Sequence, residues 1–338
     1  MNKQQIVNIY REKLVESAHI VHIAGVNTAG NPLCSGGDAK RMTFVRSAAK
    51  PLQAVAVVEA GAIDQYHFTP EELVLICSSH NGEAYHVDLA ASMLRKLGLT
   101  EDALQCGAHD PFYQPAAQAL RAAGQTPGPL HNNCSGKHSG MLALALAIGA
   151  DPASYPQPDN PVQKRMLATI AAVSGVPAAD IPLGTDGCGV PVFGLPLDRL
   201  AYAYARFGNP GNLSTTQAEA LARILEAIRR HPAALAGTGR FDTRLIEATQ
   251  GRIIGKLGAE GVFAVAVPGD GLGLAFKVED GAQRALYPAV VETLRQLDLL
   301  KVDELAELAE FHKPPITNWQ GTRVGRIDPA LTISRRLL

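Results

Sequence analysis

The chain has 338 residues, 46% hydrophobic and 19% charged, with a formal net charge of −1. That balance excludes the basic surface that nucleic acid or an anionic bilayer would demand, and no apolar run reaches the ~18 residues needed to span a membrane. Cysteines 34, 77, 106, 134 and 188 are odd in number and widely spread, and the opening MNKQQIVNIYREKLVES has no secretory h-region. Together these point to reduced thiols in a cytoplasmic protein rather than to a disulfide framework.

In chain order, ESAHIVHIAGV, NTAGN and PLCSGG read as a strand, a Gly/Asn turn and a weaker return strand. RSAAKPLQAVAVVEAGA reads as a helix with Ser47 near its start and Pro51 in its first turn, where proline is tolerated. ELVLICSS is a short apolar run, strand-like or buried. EAYHVDLAASMLRKLG and PAAQALRAAG have helical spacing and end in glycine. The loop GQTPGPLHNNCSG delivers KHSGMLALALAIGA as a helix, and PVQKRMLATIAAVSG and TTQAEALARILEAIRRHP are amphipathic helices. GVFAVAV, PGDGLG and LAFKV form the clearest hairpin, and AQRALYPAVVETLRQLDLL is a helix after it. This order predicts an α/β fold of the α+β type. A mostly antiparallel sheet is built from both chain ends, and the helical middle forms a second lobe. With no repeat, low-complexity tract or evident linker, residues 1–338 read as a single domain.

Three motifs carry chemistry. In Ser47-Ala-Ala-Lys50, a hydroxyl and an amine three apart share one helix face. A serine becomes a useful nucleophile only when a neighbouring base takes its proton, and a lysine serves as that base only when it is neutral. Alone, the spacing equally suits a capped helix with a solvated lysine. Ser79-His80-Asn81 after LVLIC and Lys256-Leu257-Gly258 before the late hairpin add to it. Serine hydrolases of the β-lactamase type use S-x-x-K, S-x-N and K-x-G in that chain order. A helix, a loop and a strand edge can converge on one cleft and supply two Ser–Lys pairs.

Within HNNCSGKHSGML, Cys134 and Lys137 are three apart, and TDGCG adds Asp186 and Cys188. Two thiolates suit Zn²⁺, which prefers four tetrahedral S, N or O donors. Lysine is an unusual third ligand because its amine must be neutral. Unrelated buried thiols, or a Cys134 nucleophile served by His131 or His138, are the alternatives. His19, His22, His67, His86, His109, His231 and His312 read as isolated surface or satisfied core residues. His80 and His138 lie inside motifs and are candidates for substrate contacts. PGDGLG follows a strand but leads into another strand, so it reads as a hairpin turn and not a phosphate loop.

With these residues in view, the chain resembles the asparaginase II family, the thermolabile, rhizobial-type L-asparaginases. The matching stretches are RSAAKPLQA, CSSHNGE, LQCGAH, PLHNNCSGKHSGML, DGCGVP, KLGAEGV and GLGLAFKVEDG, spread over most of the chain. The resemblance implies a serine β-lactamase-like fold, hydrolysis of the side-chain amide of L-asparagine, and a homodimer. By position it makes Ser47 and Lys50 one pair and Ser79 and Lys256 the second. It also makes Cys134, Lys137 and Cys188 zinc ligands, with Asp186 bonded through water, and the zinc an aid to substrate binding more than to water activation. Arg46 beside Ser47 is a candidate for the substrate carboxylate and equally for a structural ion pair. Two departures stand out. ESAHIVH lacks the glycine that often follows the histidine, and SSHNGE replaces the commoner ASHSGE, placing Asn81 where it alters contacts to the substrate amino acid. A serine-type glutaminase, a D-amino-acid peptidase and a non-catalytic zinc- or amino-acid-binding protein are the other readings.

Overall fold

In the computed structural model, residues 5–335 are described, and they form two compact units, each assembled from separated stretches of chain. The first takes the segments up to Ala48, Leu195–Gly211 and everything from Arg244 onward; the second takes Ala49–Gly194 and Asn212–Thr243.

The first unit holds a nine-stranded sheet. Its main path runs Pro315–Thr317, Arg323–Ala330, Ile6–Arg11, Leu14–Asn27, Leu272–Val278, Val262–Val267, Ile254–Gly258. Pro32–Gly36 pairs with Leu14–Asn27, and Ser334–Arg335 pairs with Pro32–Gly36. The pairings are antiparallel, and strands from both chain ends lie side by side, with Ile6 opposite Ala330. The fold is therefore α+β, with the sheet expected from the sequence. Val262–Val267 is buried at every position, as a central strand covered on both faces must be. Helices Leu197–Ala205 and Gln283–Gln296 pack on it.

The second unit is mainly helical. Helix Lys50–Glu59 is buried from Lys50 through Val57, which is the pattern of a helix surrounded by others. Helices Ser135–Ala147, Pro161–Ser174 and Thr215–Arg230 pack against it. Pro51 sits in its first turn, as expected.

The run ELVLICSS departs from its strand-like reading. Pro70–Ile76 is a helix, because Thr69 and Glu72 form a reciprocal capping box and Pro70 occupies the first turn, where its missing N–H costs nothing. No helix among the described residues is long and apolar enough to cross a membrane.

Candidate active site

Each unit contributes motif residues. In the first, Arg46–Ala49 forms a single 3₁₀ turn at the junction with helix Lys50–Glu59. Arg46 has φ 50, a left-handed backbone that a side chain disfavours, directly before Ser47. Both Arg46 and Ser47 are half-buried. Two contacts hold this turn. The Tyr204 hydroxyl donates to Ala48 O at 2.7 Å, and strand Ile254–Gly258 presses in so closely that a Cβ on Gly258 would stand 2.7 Å from Val45 O and 3.3 Å from Ala48 N. Two residues back on that strand, Lys256 shares the face of Gly258. Lys256 is wholly buried, and its Nζ donates to Leu257 O at 2.9 Å.

The second unit assembles the remaining motifs by one backbone-to-backbone approach. Helix Ser135–Ala147 meets helix Pro70–Ile76 at Gly136, where a Cβ would lie 2.2 Å from Leu75 O. Only glycine permits that separation, and it sets the segment after Ile76 beside Asn132–Lys137. Lys50 Nζ donates to Ser78 O at 2.6 Å and to Asn133 O at 3.2 Å. The Asn133 amide donates to Ser79 Oγ at 2.8 Å. Ser79 N donates to Leu235 O, so the end of the short helix Pro232–Leu235 backs the serine.

The two thiols singled out in the sequence, fifty-four residues apart, lie close enough to shift each other's pKa. Cys188 rides on the turn of a hairpin formed by Leu183–Thr185 and Pro191–Phe193. Cys134 caps the start of helix Ser135–Ala147. Lys137 Nζ lies 3.0 Å from Cys188 Sγ, and Asp186 Oδ2 lies 4.0 Å from it. Cys134, Lys137 and Cys188 are all buried. The bond from Cys188, with Lys50 and Lys137 nearby, holds the Cys134 thiol well below its usual range against the effect of burial. Cys188 is pushed up, first by the Cys134 thiolate and then by burial. Burial alone would lower the Lys137 amine, but the charges of Cys134, Cys188 and Asp186 outweigh it and raise it.

Among the described residues no cluster of three or more His, Cys, Asp or Glu is arranged for a metal ion. The set here is instead two thiols and an amine within bonding reach of each other, with a carboxylate behind. Soft sulfur, nitrogen and oxygen donors in that number fit zinc. Binding it would require Cys188 and Lys137 to lose protons.

Three of the sequence-predicted substrate contacts are deeply buried. His80 is fully buried. Its Nδ1 accepts from Gly82 N, so its Nε2 donates to Ser135 Oγ at 2.9 Å, and the ring braces the loop. Burial, then the His86 and Lys50 charges, keeps it neutral. Asn81 is buried too, with its amide spent on Glu83, Thr238 O and the Arg240 guanidinium. His138 is fully buried with Nδ1 on the Tyr155 hydroxyl at 2.6 Å, and burial first, then Lys137 and Lys50, lowers its pKa well below the usual value.

Two of the histidines read as isolated lie against motif residues. His86 stacks on His80 with ring centroids 4.8 Å apart, and His109 Nε2 accepts from Asn133 N at 3.0 Å. Sequence reasoning also passed over Asn133, Glu83, Thr238 and Arg240. The only cue was that Asn133 precedes a motif cysteine and Glu83 closes SSHNGE.

The sequence profile of the L-asparaginase II family matches residues 7–329. The chain belongs to that family. Membership makes it an amidohydrolase, an enzyme that splits a C–N amide bond with water. No curated protein sequence gives a significant match. Among solved structures, it is similar to a β-lactamase from Mycobacterium bovis at 15% identity and a TM-score of 0.38, over 86% of this chain and 95% of that one. It is also similar to D-alanine carboxypeptidase AmpC from Burkholderia cenocepacia, at 14% identity and a TM-score of 0.36, over 86% and 92% of the two chains. A third similarity, to the protein Mglu, has 16% identity and a TM-score of 0.36, over 84% and 68%.

Proposed function

We propose that this L-asparaginase II member hydrolyses the side-chain amide of L-asparagine to L-aspartate and ammonia through a serine acyl-enzyme. The observation that carries this reading is the family match over residues 7–329, in a chain that keeps both serines and both lysines of the two expected pairs. Ser47 Oγ attacks the amide carbon and passes its proton to Lys50 Nζ, which acts as the base after giving up a proton of its own. Ser79, which the resemblance pairs with Lys256, protonates the leaving nitrogen as the C–N bond breaks, and ammonia departs. Water then adds to the ester carbon and gives up a proton to the same groups. The bond to Ser47 Oγ breaks, the hydroxyl regains a proton, and L-aspartate leaves.

In this scheme the Ser47 backbone N–H stabilises the oxyanion and Arg46 holds the substrate carboxylate. The left-handed backbone at Arg46 supports the assignment, because strain of this kind gathers at working residues. Cys134, Cys188 and Lys137 would hold a zinc ion, with Asp186 bonded through water. Bound there, the ion would supply positive charge that favours substrate binding. The working form in this reading is a cytoplasmic homodimer.

Ammonia release from L-asparagine tests the reading. The unaltered chain forms ammonia and aspartate in equal amounts, and Ser47→Ala loses on the order of 10³-fold or more in kcat. Normal turnover by folded Ser47→Ala overturns the choice of nucleophile. L-Glutamine, one methylene longer, is turned over roughly 10–200-fold less well, and a preference for it would replace the substrate.

A further inference from the structure

Asn133 has four polar contacts, and three of them are hydrogen bonds with different tasks. Its backbone N–H donates to His109 Nε2 at 3.0 Å. Its carbonyl accepts from Lys50 Nζ at 3.2 Å. Its side-chain amide donates to Ser79 Oγ at 2.8 Å. One residue therefore touches a lysine and a serine from the two different Ser–Lys pairs, and it is half-buried.

The direction of these bonds follows from the donors. His109 Nδ1 lies 2.7 Å from Asp110 O, an atom that can only accept, so that ring nitrogen carries the proton. Nε2 is then an acceptor whose lone pair the Asn133 N–H takes, and Asn133 Oδ1, 3.3 Å from the same nitrogen, meets no proton there. Phe112 stacks on the His109 ring at 4.7 Å and fixes its plane. The backbone of Asn133 is thus pinned by His109. The Asn133 nitrogen fills one lone pair of Ser79 Oγ, so the hydroxyl proton of Ser79 has to point elsewhere.

We propose that Asn133 is a positioning residue that holds Ser79 Oγ as an acceptor and so turns its hydroxyl proton toward the substrate nitrogen. The proposal rests on the asparaginase reading and sharpens it. A serine whose oxygen is occupied this way is a better proton donor than nucleophile, which sets Ser79 apart from Ser47. If the amide were turned over, its oxygen would instead capture the Ser79 proton.

Asn133→Ala and Asn133→Asp separate these cases, because both keep the backbone bonds to Lys50 and His109. The Ala variant loses the donor, and its kcat on L-asparagine falls roughly ten- to a hundred-fold with KM changed less than about threefold. The Asp variant is nearly isosteric but presents an acceptor that pulls the proton away from the substrate, so its kcat falls further than that of Ala. A merely structural role gives the opposite order, since the isosteric residue packs better. Thermal midpoints and zinc content are measured on each variant so that rates refer to folded, comparably loaded protein.

Asn133→Asp retaining more kcat than Asn133→Ala overturns the direction of the bond and with it the proposal. Full kcat in Asn133→Ala overturns the positioning role. A KM effect with kcat intact overturns it too, and makes Asn133 a binding residue. Absence of ammonia release by the unaltered chain overturns the asparaginase reading itself, and this proposal with it. Should Asn133→Ala fail to fold, His109→Gln, which disturbs only the pin behind Asn133, is expected to lower kcat about threefold to tenfold, and an unchanged kcat there counts against the proposal.

Discussion

Replacing Gly258 with alanine is a direct test of what holds the Ser47 turn. The new Cβ would stand 2.7 Å from Val45 O, 3.1 Å from Val262 Cβ and 3.3 Å from Ala48 N. Carbon and carbonyl oxygen settle no closer than about 3.3 Å, so the turn or the strand must give by about 0.6 Å. The oxygen and nitrogen are backbone atoms on either side of Ser47, with no flexible side-chain end to absorb the shift. Overpacking of this kind costs about 1–3 kcal/mol.

A reacting group displaced by about 1 Å loses on the order of a hundredfold in rate, so roughly tenfold in kcat is expected here. Urea unfolding gives the stability, and ammonia release per folded chain gives the rate. Gly269→Ala is the control. Nothing lies within 4 Å of a Cβ there and its backbone is not left-handed, so stability should stay within about 0.5 kcal/mol. If Gly258→Ala behaves like the control in both assays, the close approach does not hold the serine and the reasoning fails.

Three further outcomes can be checked. Tyr204→Phe removes the 2.7 Å bond to Ala48 O from a fully buried site; it should cost about 1–2 kcal/mol, seen as a lower urea midpoint at constant m-value. Burial alone would raise the Glu292 carboxyl, but hydrogen bonds with His312, Arg295 and Gln296 outweigh it and hold it well below its ordinary 4.5. Its contribution is present above about pH 4.5 and is lost as pH falls toward the depressed value. Acid titration of unfolding should therefore show a steeper loss than in Glu292→Gln, and equal slopes would refute the pairing. The chain dialysed against Zn²⁺ should keep about one equivalent by metal analysis, and Cys188→Ala should keep none. Because Cys188 and Lys137 must shed protons first, affinity should rise with pH, and a pH-independent affinity would speak against this donor set.

Local signals in the sequence carried far. Pro51 in a first turn, the Gly-rich turn of the late hairpin and the glycine stops of the helices all act within a few residues, and the elements stand where those signals put them. ELVLIC was ambiguous because five apolar residues suit a buried helix as well as a strand. The deciding cue, Thr69 through Glu72, lay just upstream. What sequence spacing cannot supply is the meeting of distant parts. The contact of Cys134 with Cys188 was expected only through a family resemblance, and nothing in the order of residues marked His109 as the support of Asn133. The burial of His80, Asn81 and His138 was equally hidden. A polar residue in a motif reads the same whether it faces a ligand or braces the loop that does.

The pairing of Ile6–Arg11 with Arg323–Ala330 joins stretches more than three hundred residues apart in sequence. During synthesis the earliest strand emerges long before the partner that completes its side of the sheet, and at ~5–20 residues per second the wait is tens of seconds. Over that interval one edge of Ile6–Arg11 presents unpaired N–H and C=O groups to any extended chain nearby. The second unit is interrupted as well, since the segment up to Thr243 must return to it after the chain has passed through Leu195–Gly211. Such an arrangement favours slow maturation and makes the nascent chain a natural client for chaperones, however well the finished molecule is packed.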